Sequence, residues 1–447
     1  MKNNWRQKLH LEPEKGWLND PNGLSFFNGE YHVYFQYCPD SAYGKGGKCW
    51  GHWAGKDLTH WRFDGALLRP DFPDDRSGVY SGCGFVKDEL LHLFYTGNVK
   101  EEGDHDYITS GRGANVITVT TPDGVTMSEK RTLLRNSDYP DYCSCHVRDP
   151  KVWEEDGRYK MILCAMTLED KGCVLFYESD DLDSWRFERA ESIPDFGYMW
   201  ECPDIIMLDG HRFLSLSPQG VPREEYCFQN VYSAGYLKYL DGGLGGYEEW
   251  DCGFDFYAPQ SFTAPDGRVL LIGWMGIGDI PYTNPTAELG WQHCLTIPRE
   301  LTLRPDGGIL QRPMRELDGM EGAPVSLNDG EKLETELPFR FTSLSQAERS
   351  RLGIEGILEM TYECGVFTLR FTDEKAGGGR DVRKAKLGSF TGIEIIADTS
   401  SLEIFLNGGE KVMSTRFYPA GTAVTLTAEG IAGSICPLEG MEVLSDG

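Results

Sequence analysis

The chain has 447 residues, of which 40% are apolar and 12% aromatic, and its formal net charge is -27. That length exceeds one ordinary core and predicts two domains, and the apolar content excludes a disordered chain. The charge excludes nucleic acid and anionic membrane surfaces as partners and gives no long-range attraction for a phosphorylated substrate.

Read in chain order, Met1 to Lys8 leads into no apolar run, so no secretory signal is expected. No run of 18 apolar residues follows, so no membrane span is expected. The 13 cysteines are odd in number and scattered, which fits reduced thiols and a cytoplasmic location. Cys143 and Cys145 sit close to Asp149, with Cys38, Cys49 and Cys83 as further candidates for the same channel mouth, but no spacing matches a zinc site, so no metal is expected.

Trp17-Leu18-Asn19-Asp20-Pro21-Asn22-Gly23 precedes a turn at Gly29-Glu30 and the alternating strand Tyr31 to Phe35. The unit returns as Arg148-Asp149-Pro150 before Asp156-Gly157, and as Trp200-Glu201-Cys202-Pro203 before Asp209-Gly210. Two further turns repeat the unit, Asp88-Glu89 before Leu90 to Tyr95 and Asp266-Gly267 before Val269 to Trp274. A second echo relates Asp57-Leu58-Thr59-His60-Trp61 to Asp181-Leu182-Asp183-Ser184-Trp185. Five copies of a strand-and-turn unit, 53 to 68 residues apart, predict an all-β five-bladed β-propeller over residues 1–315. Equivalent positions in a repeat meet in space, so Asp20, Asp149 and Glu201 are expected at one channel mouth. The plainer alternative is that they are turn caps and solvated loop residues.

A helix-like stretch, Arg312 to Leu317, and a Gly-, Asp- and Pro-rich linker over 316–330 come next. From 331 to 447, period-two strands and the hairpin turn Asn407-Gly408 predict a β-sandwich. Glu374 to Arg380 reads as a flexible loop.

Two carboxylates across a sugar suffice to cleave a glycosidic bond if one stays ionised and the other protonated. The polar neighbours of Asp20 favour an ionised nucleophile. Trp200 and Cys202 suggest a drier setting that keeps Glu201 protonated as the acid/base. Asp149 beside Arg148 is expected to stay ionised. Trp17, Trp50, Trp53, Trp200 and Trp274 lie in or near these loops and could stack on sugar, or pack between blades, as is preferred for Trp61 and Trp185.

The motifs resemble those of glycoside hydrolase family 32, the β-fructofuranosidases, over nearly the whole chain. They are Trp17 to Gly23, Arg148-Asp149-Pro150 and Glu201-Cys202, with Tyr34-Phe35-Gln36-Tyr37, Trp50-Gly51-His52, Tyr80-Ser81-Gly82, Tyr257-Ala258-Pro259-Gln260 and Gly273-Trp274-Met275-Gly276. The resemblance implies retaining hydrolysis of β-fructosides such as sucrose, sucrose-6-phosphate or short fructo-oligosaccharides, without a cofactor. It implies Asp20 as nucleophile, Glu201 as acid/base and Asp149 as transition-state stabiliser. Asn19, Gln36, Trp50, Ser81 and Arg148 would hold the fructosyl unit, with Trp274 beside them. Exo-fructanase or transfructosylase activity would use the same acids, and a non-catalytic carbohydrate-binding propeller would lack one. Cys38, Trp53 and Cys83 depart from the family pattern. Lys45 and Lys48 in the Gly-rich loop could bind a phosphate or simply be solvated.

Overall fold

The computed structural model describes residues 5–240, 243–344 and 348–445. The run Met1 to Asn4, read above for a secretory signal, lies outside them. The chain is all-β. The described residues up to 313 build five mainly antiparallel sheets. Their first strands are Gly16–Phe27, Val79–Lys87, Cys143–Glu155, Met199–Leu208 and Tyr257–Thr263.

Each turn of the sequence repeat closes the first hairpin of one sheet. Asn28, Asp88, Asp156 and Asp209 have φ of 47° to 51°, and each is followed by a second left-handed residue. Two successive positive φ values match the right-handed twist of the strands they join. Each first strand packs against the next, and the fifth returns to the first. The circle is also tied by backbone hydrogen bonds late in the chain, where Trp291–Gln292 pairs parallel to Gly16 and Trp17. The second echo has one geometry in both copies. Trp61 and Trp185 each donate their indole N–H to the leucine carbonyl three residues before, at 3.1 Å.

Two six-stranded sheets follow, and they share a core that includes Phe339, Phe341, Leu369, Ile395, Leu402 and Leu426. Three local expectations change. The helix-like stretch at 312–317 is the end of strand Ile309–Pro313 and a 3₁₀ turn, Arg315–Met320, that buries Leu317 and Met320. Within the expected linker, Val325–Leu327 pairs with Gly433 to Ile435 because Leu327 reaches the core. Glu374 to Arg380 is not a loose loop. Asp373 caps the short helix Glu374–Gly377, and Arg380 is buried in a fork with Asp255. The chain end returns to the first sheet, where Glu442–Ser445 pairs with His60 to Phe63.

Buried charges join the two parts. Arg299 donates to Asp251 at 2.9 Å and lies 2.7 Å from Glu403. His10 bonds Asp398 through Nδ1 at 2.8 Å and Glu403 through Nε2 at 3.1 Å. Burial lowers the His10 pKa, but the two carboxylates overcome it and raise the value from 6.5 to about 9. The unfolded imidazole titrates near 6.5, so this stabilisation is complete below that pH and is lost as pH rises through about 9. We expect the melting temperature to fall across that window. His10→Ala should cost about 3–5 kcal/mol at pH 6 and flatten the fall, which thermal melts across the window would show.

Candidate active site

All five first strands lose register at the same step. The breaks lie between Leu18 and Pro21, Val79 and Gly82, Arg148 and Lys151, Glu201 and Asp204, and Tyr257 and Gln260. Proline follows the bulged residue in four of them, as Pro21, Pro150, Pro203 and Pro259. It has no N–H to give the ladder, and strands tolerate it at bulges. Asp149, Cys202 and Ala258 take positive φ of 64°, 48° and 48° there.

The bulges set two rings of side chains. The first ring comprises Asp20, Ser81, Asp149, Cys202 and Ala258. The second holds the residues just before them: Asn19, Tyr80, Arg148, Glu201 and Tyr257. Ser81, Asp149, Cys202 and Ala258 are buried and Asp20 is partly exposed, whereas Asn19, Tyr80, Arg148 and Glu201 are partly exposed and Tyr257 is buried. On balance the second ring is the more exposed, outer one. The three acids are thus not equivalent: Asp20 and Asp149 belong to the deeper ring and Glu201 to the outer one.

Within the deeper ring, Ser81 Oγ donates to Asp20 Oδ2 at 2.5 Å and Asn19 Nδ2 to its Oδ1 at 3.0 Å. The Cys202 N–H donates to Asp149 Oδ2 at 2.9 Å. Its thiol lies 3.7 Å from both Asp20 and Asp149. In the outer ring, Arg148 gives Nε and Nη2 to Glu201 Oε1 at 3.0 and 2.7 Å. Gln219 and Tyr257 donate to Glu201 Oε2 at 2.6 and 2.8 Å.

This geometry corrects the electrostatic expectations. Burial pushes the Asp20 pKa up against the bonds from Ser81 and Asn19, and the Glu201 charge adds to the rise. Burial also lifts Asp149 to about 7, against the opposing charge of Arg148. The Arg148 fork is turned toward Glu201, and its charge offsets only part of the burial at Asp149. Glu201 sits among four polar donors rather than in a dry pocket.

A cleft of about 330 Å³ holds the three acids together with Asn19, Gln36, Ser81, Arg148 and Trp274. Trp50 does not line it. Trp50 is fully buried, and its indole N–H donates to the Tyr80 carbonyl at 3.0 Å, propping the second bulge from behind. Trp53 stacks on Phe35, Trp200 donates to Phe196, and Trp17 meets Trp274 edge-on. Of the five tryptophans considered for sugar stacking, Trp274 alone lines the cleft. Sequence reasoning gave no role to Tyr80, Arg112, His146, Gln219, Tyr232 or Tyr257, which also line it. The recurring residue–proline pairs could have revealed Tyr257, which stands just before Ala258-Pro259 as Glu201 stands before Cys202-Pro203. Among the described residues no group of three or more His, Cys, Asp or Glu is arranged to hold a metal ion.

The family model "Glycosyl hydrolases family 32 N-terminal domain" matches residues 10–313, and "Glycosyl hydrolases family 32 C terminal" matches 368–441. The chain belongs to glycosyl hydrolase family 32. It is 35% identical to a sucrose-6-phosphate hydrolase of Bacillus subtilis, across 95% of this chain and 92% of that protein. It is 36% identical to a raffinose invertase of Escherichia coli, across 100% and 94%. The solved sucrose-6-phosphate hydrolase of Lactobacillus gasseri superposes with a TM-score of 0.90 at 26% identity, covering 98% of this chain and 94% of that one. A β-fructofuranosidase of Bombyx mori, solved as a mutant with sucrose, gives 0.84 at 27% identity, with 99% and 95% covered. This family 32 chain is a glycoside hydrolase. Tyr257→Phe removes one of the four donors that orient Glu201, and misplacing a reacting group costs rate. Steady-state assays should show turnover down by about 10–100-fold with the melting temperature nearly unchanged.

Proposed function

We propose that this chain is a retaining β-fructofuranosidase acting on the terminal non-reducing β-D-fructofuranoside of sucrose, sucrose-6-phosphate or short fructo-oligosaccharides. The observation that carries the reading is the two-ring arrangement of the carboxylates. A nucleophile belongs beneath the fructosyl unit and an acid beside the departing oxygen, and Asp20 and Glu201 occupy those two levels.

In the first step an Asp20 oxygen bonds to the anomeric carbon as the glycosidic C–O bond breaks. Glu201 gives its proton to the leaving oxygen. Water then attacks the same carbon, Glu201 takes the water's proton, and Asp20 is released. Asp149 accepts fructosyl hydroxyls and stabilises the positive charge that develops on the ring. Asn19, Gln36, Ser81, Arg148 and Trp274 shape the subsite, and Trp50 supports it from behind. The five sheets, their first strands packed in a circle, support reading residues 1–315 as a five-bladed β-propeller. The segment 316–330 then leads into a β-sandwich over 331–447 that buttresses it, with the strand Val325–Leu327 already part of the sandwich and Glu442–Ser445 returning to the first sheet. The thirteen free cysteines support a cytoplasmic location. Among the described residues, no helix is long and apolar enough to cross a membrane.

Asp20→Ala and Glu201→Ala should each lower sucrose turnover by about 10²–10⁴-fold or more while the fold is kept. Proton NMR of the first-formed fructose should show a retained anomer, and an inverted product would reject the double displacement. The acid limb of kcat/KM should lie above the usual aspartate range, because Asp20 must be ionised and burial raises its pKa. Ser81→Ala removes a donor to the ionised form, so it should move that limb to still higher pH. An unmoved limb would detach the limb from Asp20.

A further inference from the structure

Two residues of the cleft, Gln219 and Tyr232, face each other in an isolated antiparallel bridge, and the Ser233 N–H donates to the Pro218 carbonyl at 3.3 Å. Between them residues 220–231 leave the fourth sheet as irregular backbone and return. Both ends of this excursion touch the surroundings of the outer-ring acid. Gln219 Nε2 donates to Glu201 Oε2 at 2.6 Å. The Tyr232 ring lies 5.9 Å from that of Tyr257, which donates to the same oxygen.

The far end of the excursion is held by the C-terminal sheets. Gln229 is buried and engages the Lys384 backbone with both ends of its amide. Its Nε2 donates to the carbonyl at 2.7 Å and its Oε1 accepts the N–H at 3.0 Å. Strand Val382–Lys386 is the edge of its six-stranded sheet, so this side chain supplies a rung the edge would otherwise lack. One residue on, Asn230 Oδ1 accepts Nε and Nη2 of Arg383 at 3.0 and 2.7 Å, and its Nδ2 donates to the Gly253 carbonyl at 2.8 Å. Arg383 is buried, with its guanidinium 4.0 Å over the Phe254 ring. Asp381, two residues before it, is exposed and 3.4 Å away. A buried guanidinium needs good acceptors, and the oxygen that takes two of its N–H groups belongs to the excursion. On the fourth-sheet side, Phe228 stacks on Tyr247 at 5.7 Å and its N–H donates to Glu249 at 3.1 Å. Those contacts remain when Arg383 is removed.

We infer that Arg383 is a positioning residue for the general acid: through Asn230 and the bridge at Tyr232 it holds Gln219, and with it the Glu201 carboxyl, in line with the departing oxygen. The inference rests on the β-fructofuranosidase reading above and adds to it a residue from outside the ring of strands. The C-terminal sheets then act on the first bond cleavage as well as on stability. A displaced proton donor matters only where the leaving oxygen needs the proton. The glucosyl oxygen of sucrose departs poorly as an alkoxide, whereas p-nitrophenolate departs without a proton.

The test measures kcat/KM, which reports the steps up to departure of the leaving group, on sucrose and on p-nitrophenyl β-D-fructofuranoside. The proteins are the full chain, Arg383→Ala, Arg383→Lys, Asn230→Ala, the Arg383→Ala/Asn230→Ala double variant and Arg340→Ala, each also followed by amide hydrogen exchange over 218–233. Arg340 pairs instead with Asp318, Glu321 and Glu394, so it controls for lost stability of the C-terminal sheets. Arg383→Ala should lower the sucrose value about 10- to 100-fold, keep the p-nitrophenyl value within about twofold, and speed exchange over 218–233. Arg383→Lys keeps one donor for Asn230 and should recover part of the loss. The double variant should be no worse than Arg383→Ala, because both changes break one contact. Arg340→Ala should lower the melting temperature and leave both values unchanged. An unchanged sucrose value in folded Arg383→Ala overturns the inference, as does an equal fall on both substrates or unaltered exchange. A wild type without turnover on either substrate rejects the activity reading and the inference with it.

Discussion

Proline cannot donate into a β-ladder, and four of the five channel-side strands carry one at the same step. The ladder must break there, and the break turns the preceding residues toward the axis. Asp20, Asp149, Cys202 and Ala258 each stand directly before such a proline. Ser81 reaches the same ring through a bulge that ends at Gly82, where a Cβ would fall 1.9 Å from the Phe94 carbonyl oxygen. The site therefore rests on backbone geometry repeated five times, not on long flexible side chains. Rigid placement of this kind lets a carboxylate be held where charge will develop.

Crowding carboxylates at one axis has an electrostatic consequence. Burial and mutual repulsion both disfavour the charged forms, and Asp20 and Asp149 shift upward accordingly. The protein answers with donors of different kinds on the two levels. Ser81, Asn19 and the Cys202 amide serve the deeper pair, while the Arg148 fork, Gln219 and Tyr257 serve Glu201. One cleft thus gives its acids distinct surroundings.

The same logic governs the join between the two parts of the molecule. Arg299, Asp251, Glu403, His10 and Asp398 are fully buried side chains drawn from the N-terminal segment, the fifth sheet and its neighbours, and the C-terminal sheets. Arg380 and Asp255 repeat the arrangement nearby. Such charges are costly unless each finds its partner, so the network holds only when both parts are docked in register. It also fixes the segment just before Tyr257, and so one donor to Glu201, by holding Asp251 and Asp255.

Family membership, the all-β class and a five-fold strand-and-turn unit were legible because each depends on local pattern: turn residues, alternation and motif spacing. Five of the six expected sugar contacts line the cleft for the same reason, since they sit at repeat-equivalent or motif positions. What sequence could not rank was burial. Trp50 and Trp200 look like sugar platforms in one dimension and are core residues in three. Asp149 looks ionised beside Arg148, yet successive residues on a strand point apart, and the guanidinium turns to Glu201. The two-level split of the acids and the ordered Glu374 to Arg380 segment both depend on which distant side chains arrive. Local sequence determined the ring of strands and the chemistry it carries. Only the tertiary structure decided which charges meet, because desolvation and partner geometry are properties of the packed chain.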